Sequence, residues 1–186
     1  MFGGAFDPIH NGHISNVINV EKTLKNYYED VLVYLIVSQI KHFNEDKKQK
    51  APQMERYLAT KEVAWNLGFN YCALVEQTPY MIDTIDWILK GTSDDIILLI
   101  GRDQANNFDK WFRHEDILAS ISKLAIFDGE TGKFTLDLYD ETTFIVENHP
   151  NIRSTEIRNL VKNGLIEEAK KLVPEAAYDL LNFYKE

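Results

Sequence analysis

Short apolar runs alternating with segments of helical spacing set the strongest limit on what this chain can fold into. The runs Val31 to Val37, Tyr71 to Val75, Ile96 to Ile100, Leu124 to Phe127 and Phe144 to Val146 read as strands, most of them interior. Helical periodicity runs through Ile14 to Tyr27, Pro52 to Leu67, Met81 to Lys90 and Trp111 to Ser120, and through two C-terminal segments beginning at Thr155 and Pro174. Such alternation predicts an α/β, Rossmann-like fold: a largely parallel sheet with helices on both faces and ligands at the carboxyl ends of its strands. A further strand is expected before Gly3, where only Met1 and Phe2 stand. Either that strand is stunted or the start lies upstream.

With 186 residues, 45% of them hydrophobic, the chain is expected to form one domain over 1–186. A chain of that size buries roughly 70% of its unfolded surface. The polar stretch His42 to Lys50 reads as a loop and Asp128 to Lys133 as a turn. A net charge of −9 argues against a broad nucleic-acid or anionic-membrane surface, so any anion site must be focal. The single cysteine, Cys72, excludes an internal disulfide, fits a reducing compartment and reads as a core residue within its apolar run. Neither a signal-peptide pattern nor an apolar run of about 18 residues is present, from which a cytoplasmic protein is expected.

The chemistry concentrates in the opening run Gly3-Gly4-Ala5-Phe6-Asp7-Pro8-Ile9-His10-Asn11-Gly12-His13. A Gly-Gly turn lets backbone amides approach a phosphate, and Asn11-Gly12 leads into a helix whose N-terminus favours negative charge. Two histidines three apart at that entrance can aim donors at one anion and stabilise charge that grows in phosphoryl transfer. A capping or core histidine pair, or a metal site, is the alternative. The run resembles the signature of the HxGH nucleotidyltransferase superfamily.

Ile152-Arg153-Ser154-Thr155-Glu156-Ile157-Arg158 places two hydroxyl residues at a helix start with an arginine in the first turn. Alone it reads as an ordinary N-cap with a surface arginine. Beside the first motif it resembles the Ser-Thr-x-Ile-Arg element with which the superfamily holds the ATP triphosphate, with Arg153 standing where members often carry Ser. Gly101-Arg102-Asp103 after a strand, with Trp111 eight residues beyond Asp103, resembles the Gly-x-Asp plus Trp pattern of the nicotinate and nicotinamide mononucleotide adenylyltransferases.

That resemblance implies a set of roles. His10, His13 and Arg158 would be catalytic, and Gly3, Gly4, Phe6, Asp103, Ser154 and Thr155 would bind ATP. Trp111 would stack on the pyridine ring, Thr84 in Tyr80 to Ile85 would offer it a polar contact, and Lys41, with Arg56 on the next helix, would meet substrate phosphate. Lys47, Lys48 and Lys50 read as a solvated loop face. The implied reaction joins ATP to a pyridine mononucleotide, with Mg²⁺ bound through the triphosphate and no protein nucleophile. A sister enzyme using phosphopantetheine or a cytidylyl donor, and a sensor without turnover, are the rivals. Nicotinate against nicotinamide stays open, as does a homo-oligomer.

Overall fold

The computed structural model describes residues 1–39, 50–76, 78–128, 133–136, 142–145 and 151–185. Its strands are β1 (Phe2–Gly4), β2 (Val33–Val37), β3 (Tyr71–Val75), β4 (Ile97–Gly101), β5 (Lys123–Asp128), β6 (Lys133–Leu136) and β7 (Thr142–Ile145). They form one sheet in the order β3-β2-β1-β4-β5-β6-β7. The first five are mutually parallel, and β6 and β7 extend the edge in antiparallel fashion. The Rossmann-like arrangement expected from the alternation is thus the observed one.

Seven α-helices are described: α1 (Asn11–Leu24), α2 (Gln53–Leu67), α3 (Met81–Leu89), α4 (Arg102–Ala105), α5 (His114–Ser120), α6 (Ser154–Lys162) and α7 (Ile166–Lys170). They divide between the two faces of the sheet because strand side chains alternate. Leu35, Val37, Leu99, Ala125 and Phe127 join the core formed with α1, α2, α6 and the C-terminal turns. Their neighbours Ile36, Leu98, Ile100, Leu124 and Ile126 join the core formed with α3 and α5. Full burial of each such aliphatic side chain contributes about 2 kcal/mol.

β1 spans Phe2–Gly4 and is the middle one of the five parallel strands. Phe2 is the partner of Leu35 on one side and of Leu99 on the other. Gly3 lies close under α3, and a Cβ there would lie 2.6 Å from Cε of Met81, whose flexible side chain would have to move.

Several expectations need correction. Gly3 and Gly4 are not a turn; they pair with Ile36 and Val37 in the sheet. The helix expected from Trp111 starts only at His114, because Trp111 to Arg113 follow a 3₁₀ turn at Phe108–Lys110 in non-helical backbone, with φ of 54° at Arg113. The segment from Thr155 divides into α6 and α7 at Gly164, where φ is 77° and glycine meets no steric cost. The segment from Pro174 folds as two 3₁₀ turns, Glu175–Ala177 and Asp179–Tyr184. Cys72 is exposed, since β3 is the sheet's edge strand. β6 was missed, while the expected turn is bracketed by the paired Asp128 and Lys133, residues 129–132 lying outside the described ones. Val146, which ends the last apolar run, also lies outside them. Among the described residues no helix is long and apolar enough to cross a membrane.

Candidate active site

Strand order reverses between β1 and β4, with β2 and β3 on one side and β5 on the other. In an open α/β sheet this leaves a crevice at the carboxyl ends of the strands. A cleft of about 900 Å³ lies there, lined among others by Gly3, Gly4, Ser38, Glu76, Asp103 and Trp111. Two elements far apart in sequence, the Gly-Gly pair and the Asp103–Trp111 segment, therefore share one space.

The histidine pair adjoins this cleft through Phe6. A Cβ on Gly4 would lie 3.1 Å from the Phe6 ring, and that ring meets the His13 imidazole edge-on at 5.1 Å between centroids. Phe6 is buried and has φ of 48°. A bulky residue in this region costs about 1–2 kcal/mol, which the surrounding packing must sustain. Since the ring is a buried wedge, any contact of Phe6 with a nucleotide is through its backbone.

His10 is the N-cap of α1, and His13 is its third residue. The His13 amide donates to Nδ1 of His10 at 3.3 Å, and the His10 amide donates to Nδ1 of His13 at 3.2 Å. The two rings stack at 3.6 Å between centroids and 20° between planes. With each Nδ1 accepting, a neutral ring carries its proton on Nε2, so both rings are set to donate from that atom. The capping reading and the anion reading thus coexist in one pair. Backbone amides are less prominent in the cradle than the sequence implies, because Asn11 donates its own to the Leu172 carbonyl at 3.0 Å.

The second motif reaches the first across the chain. Ser154 Oγ donates to the Pro8 carbonyl at 3.2 Å, and Arg158 Nη1 donates to the Asp7 carbonyl at 2.7 Å. Arg158 Nη2 also donates to Thr155 Oγ1 at 3.1 Å. Arg153, not Ser154, is the N-cap of α6, so Ser154 and Thr155 occupy its first two positions and Arg158 begins its second turn. The start of α6, the Asp7–His10 loop and the start of α1 therefore form one donor-rich corner.

Trp111 lines the cleft against the buried ring of Phe108, at 5.2 Å between centroids. Lys110 and Phe112 flank it on the same wall, and Phe112 packs on Tyr80 at 4.3 Å. Asp103 is exposed at the cleft, and Gly101 is constrained because a Cβ would lie 2.7 Å from its Oδ1. Thr84 is buried on α3 behind the lining residues Tyr80 and Met81, and its Oγ1 has no hydrogen-bond partner among the described residues. Lys41, Lys47 and Lys48 lie outside the described residues.

Arg56 is not a phosphate contact. It is 0% exposed and donates Nε to the Ala51 carbonyl at 3.0 Å, Nη2 to the Ser38 carbonyl at 2.9 Å and Nη1 to the Ala5 carbonyl. Burial lowers its pKa, partly offset by Asp7, Tyr184 and Glu76, yet guanidinium remains the charged form at any physiological pH. Its role is to tie β1, β2 and the start of α2 together beneath the cleft.

Asp7, which sequence reasoning left without a role, is only 3% exposed. Its carboxylate accepts the amides of Lys50 at 2.8 Å and Ala51 at 3.1 Å and the hydroxyl of Tyr184 at 2.8 Å. Arg158 Nη1 stands 4.0 Å from its Oδ2. Three donors satisfy a buried charge that would otherwise be costly. The only sequence signal for this hub was an acidic residue inside the glycine-histidine run. Its partners lie as many as 177 positions away.

Comparison with known proteins adds the following. Residues 1–160 match the cytidylyltransferase-like family. The chain is 30% identical to a probable nicotinate-nucleotide adenylyltransferase of Thermotoga petrophila, over 94% of this chain and 90% of that one. It is 25% identical to one of Clostridium tetani, over 99% and 96%. Among solved structures, the Plasmodium falciparum nicotinic acid mononucleotide adenylyltransferase complexed with NaAD superposes with a TM-score of 0.59 at 16% identity, covering 98% of this chain and 93% of that one.

Proposed function

The chain belongs to the cytidylyltransferase-like family, among its nicotinate-nucleotide adenylyltransferases; from that premise we propose that its site transfers the adenylyl group of ATP to nicotinate mononucleotide, releasing pyrophosphate, in the biosynthesis of NAD. The observation that carries this reading is the single cleft in which Gly3, Gly4, Asp103 and Trp111 meet beside the stacked His10–His13 pair. An oxygen of the acceptor's 5′-phosphate attacks the α-phosphorus of ATP, the bond from that phosphorus to the β-phosphate oxygen breaks, and pyrophosphate leaves with the electron pair. No proton has to be removed from the nucleophile, so positioning and charge stabilisation supply the catalysis.

Each residue has a role set by its chemistry. His10 and His13 direct Nε2–H at the triphosphate, and Thr155, Arg158 and the backbone amide of Ser154 add donors from the start of α6, where the helix dipole favours an anion. Gly3 and Gly4 let the nucleotide approach the end of β1, and Asp103 meets its sugar or base side. Trp111 offers a flat face for the pyridine ring, whereas Thr84, buried behind Tyr80 and Met81, does not line the cleft. Lys41 is the basic contact for the acceptor phosphate.

The donors at this corner, ring N–H, hydroxyl and guanidinium, suit anionic oxygens and not a bare cation. Mg²⁺ would therefore be carried by the triphosphate rather than by these side chains, and it would supply neutralisation of charge on the leaving pyrophosphate.

The test is pyrophosphate release from ATP and Mg²⁺ with nicotinate mononucleotide, nicotinamide mononucleotide or phosphopantetheine, beside a CTP control. Nicotinate mononucleotide should be the fastest acceptor. A preference for phosphopantetheine or CTP overturns the assignment, and binding of ATP with no turnover on any acceptor makes the protein a sensor.

A further inference from the structure

The C-terminal turn Asp179–Tyr184 ends in a phenol that is 1% exposed and donates to Asp7 Oδ1 at 2.8 Å. Packing alone asks nothing polar of this position, since the ring sits among buried Leu180, Leu181 and Ile157 of the same core. Burial and the adjoining carboxylate push the phenol's pKa strongly upward, so it stays a protonated donor. The hydroxyl faces Asp7, which links three parts of the site. Asp7 holds the amides of residues 50 and 51 with its carboxylate, and it receives the Arg158 guanidinium on its own carbonyl.

Two anchors orient Arg158, the Asp7 carbonyl at 2.7 Å and Thr155 Oγ1 at 3.1 Å. One of them belongs to the loop whose conformation depends on the Asp7 carboxylate. That carboxylate is tied on Oδ2 by Lys50 and on Oδ1 by Ala51 and Tyr184. If the Tyr184 hydroxyl is lost, Oδ1 keeps a single donor at 3.1 Å, and Arg158 Nη1, already 4.0 Å from Oδ2, is within a short rotation of the under-satisfied carboxylate. A guanidinium drawn to the carboxylate is drawn away from a triphosphate.

We propose that Tyr184 is a positioning residue for ATP: by satisfying Asp7 it keeps the Arg158 guanidinium presented to the triphosphate. This rests on the triphosphate role given to Arg158 above. The C-terminal turn acts thereby on the nucleotide side of the reaction and leaves the pyridine side alone, because Trp111 and Thr84 stand on other elements.

The experiment is Tyr184→Phe, which keeps the buried ring, alone and in an Arg158→Ala background. ATP affinity is read by calorimetry without acceptor, and kcat and both KM values from pyrophosphate release. Tyr184→Phe should weaken ATP about fivefold, the size of one ordinary net hydrogen bond, with the KM for nicotinate mononucleotide within twofold. In the Arg158→Ala background the same change should leave ATP affinity unaltered. Unchanged ATP affinity in the single variant, or an equal loss in both backgrounds, overturns the proposal. So does a variant whose only effect is a lower melting temperature. Should Tyr184→Phe not fold, Tyr184→His, which retains a ring and a donor, must then bind ATP as the unaltered protein does, and weaker binding overturns it. Calorimetry of ATP stands whether or not any acceptor turns over, so failure of the adenylyl-transfer reading is seen separately.

Discussion

His10 and His13 cap one another: each accepts the other's backbone N–H at Nδ1, and their rings stack at 3.6 Å. A helix start usually satisfies its first amides with a serine, threonine or aspartate side chain. With each Nδ1 accepting, the neutral ring carries its proton on Nε2, so the cap fixes the tautomer of both rings.

Removing one member should therefore separate into two effects of different size. His13→Ala should lower kcat by about 10²-fold or more, the scale of losing one donor to a developing charge. Loss of its cap contact should cost only about 1 kcal/mol. Steady-state pyrophosphate release and thermal unfolding measure the two, and near-normal turnover would remove His13 from the mechanism.

Trp111 lines the cleft against Phe108, on an element separate from the starts of α1 and α6. Trp111→Ala should raise the KM for nicotinate mononucleotide about tenfold through lost ring stacking while the KM for ATP stays within twofold. Loss confined to ATP would show that the indole serves the other substrate.

Arg56 tests the scaffold rather than the chemistry. Arg56→Lys removes the planar fork that reaches the Ala5, Ser38 and Ala51 carbonyls. Carbonyls left buried without donors should cost about 3 kcal/mol, seen as a melting temperature lower by about 10 °C for a chain of this length. An unchanged melting temperature would mean that the three bonds add nothing to stability.

Glu21 provides a pH signature. Burial pushes its pKa up, but hydrogen bonds from Lys25, Tyr71 and Asn70 outweigh that and hold it below the ordinary 4.5. A carboxyl with a depressed folded pKa stabilises the fold fully above the unfolded value and loses that contribution as pH falls through the folded one. Stability should thus fall below about pH 4.5, and Glu21→Gln should flatten that part of the denaturant-midpoint profile without altering its slope above pH 6. An identical acid limb in the variant would rule the contribution out.

Much of the site could be read from neighbouring residues alone. The stacked pair follows from two histidines three apart at a helix entrance, since residues i and i+3 share a face. Ser154, Thr155 and Arg158 are similarly grouped by one helix start. Gly3 and Gly4 look like a turn in sequence because the strand they end offers only one residue, Phe2, of apolar signal before them. Trp111 was set on a helix that starts three residues later, for lack of any local mark of the left-handed Arg113.

The amino-acid sequence by itself determined what depends on spacing along the chain: the alternation that makes a largely parallel sheet, the helix starts, and the types of donor that collect at them. Only the tertiary structure decided which separate starts meet, that Arg56 is spent on carbonyls instead of phosphate, and that Tyr184 serves Asp7. Periodicity records which face of an element is apolar, whereas a hydrogen bond spanning 177 residues is set by where the whole sheet carries both ends. No pattern in either neighbourhood encodes it.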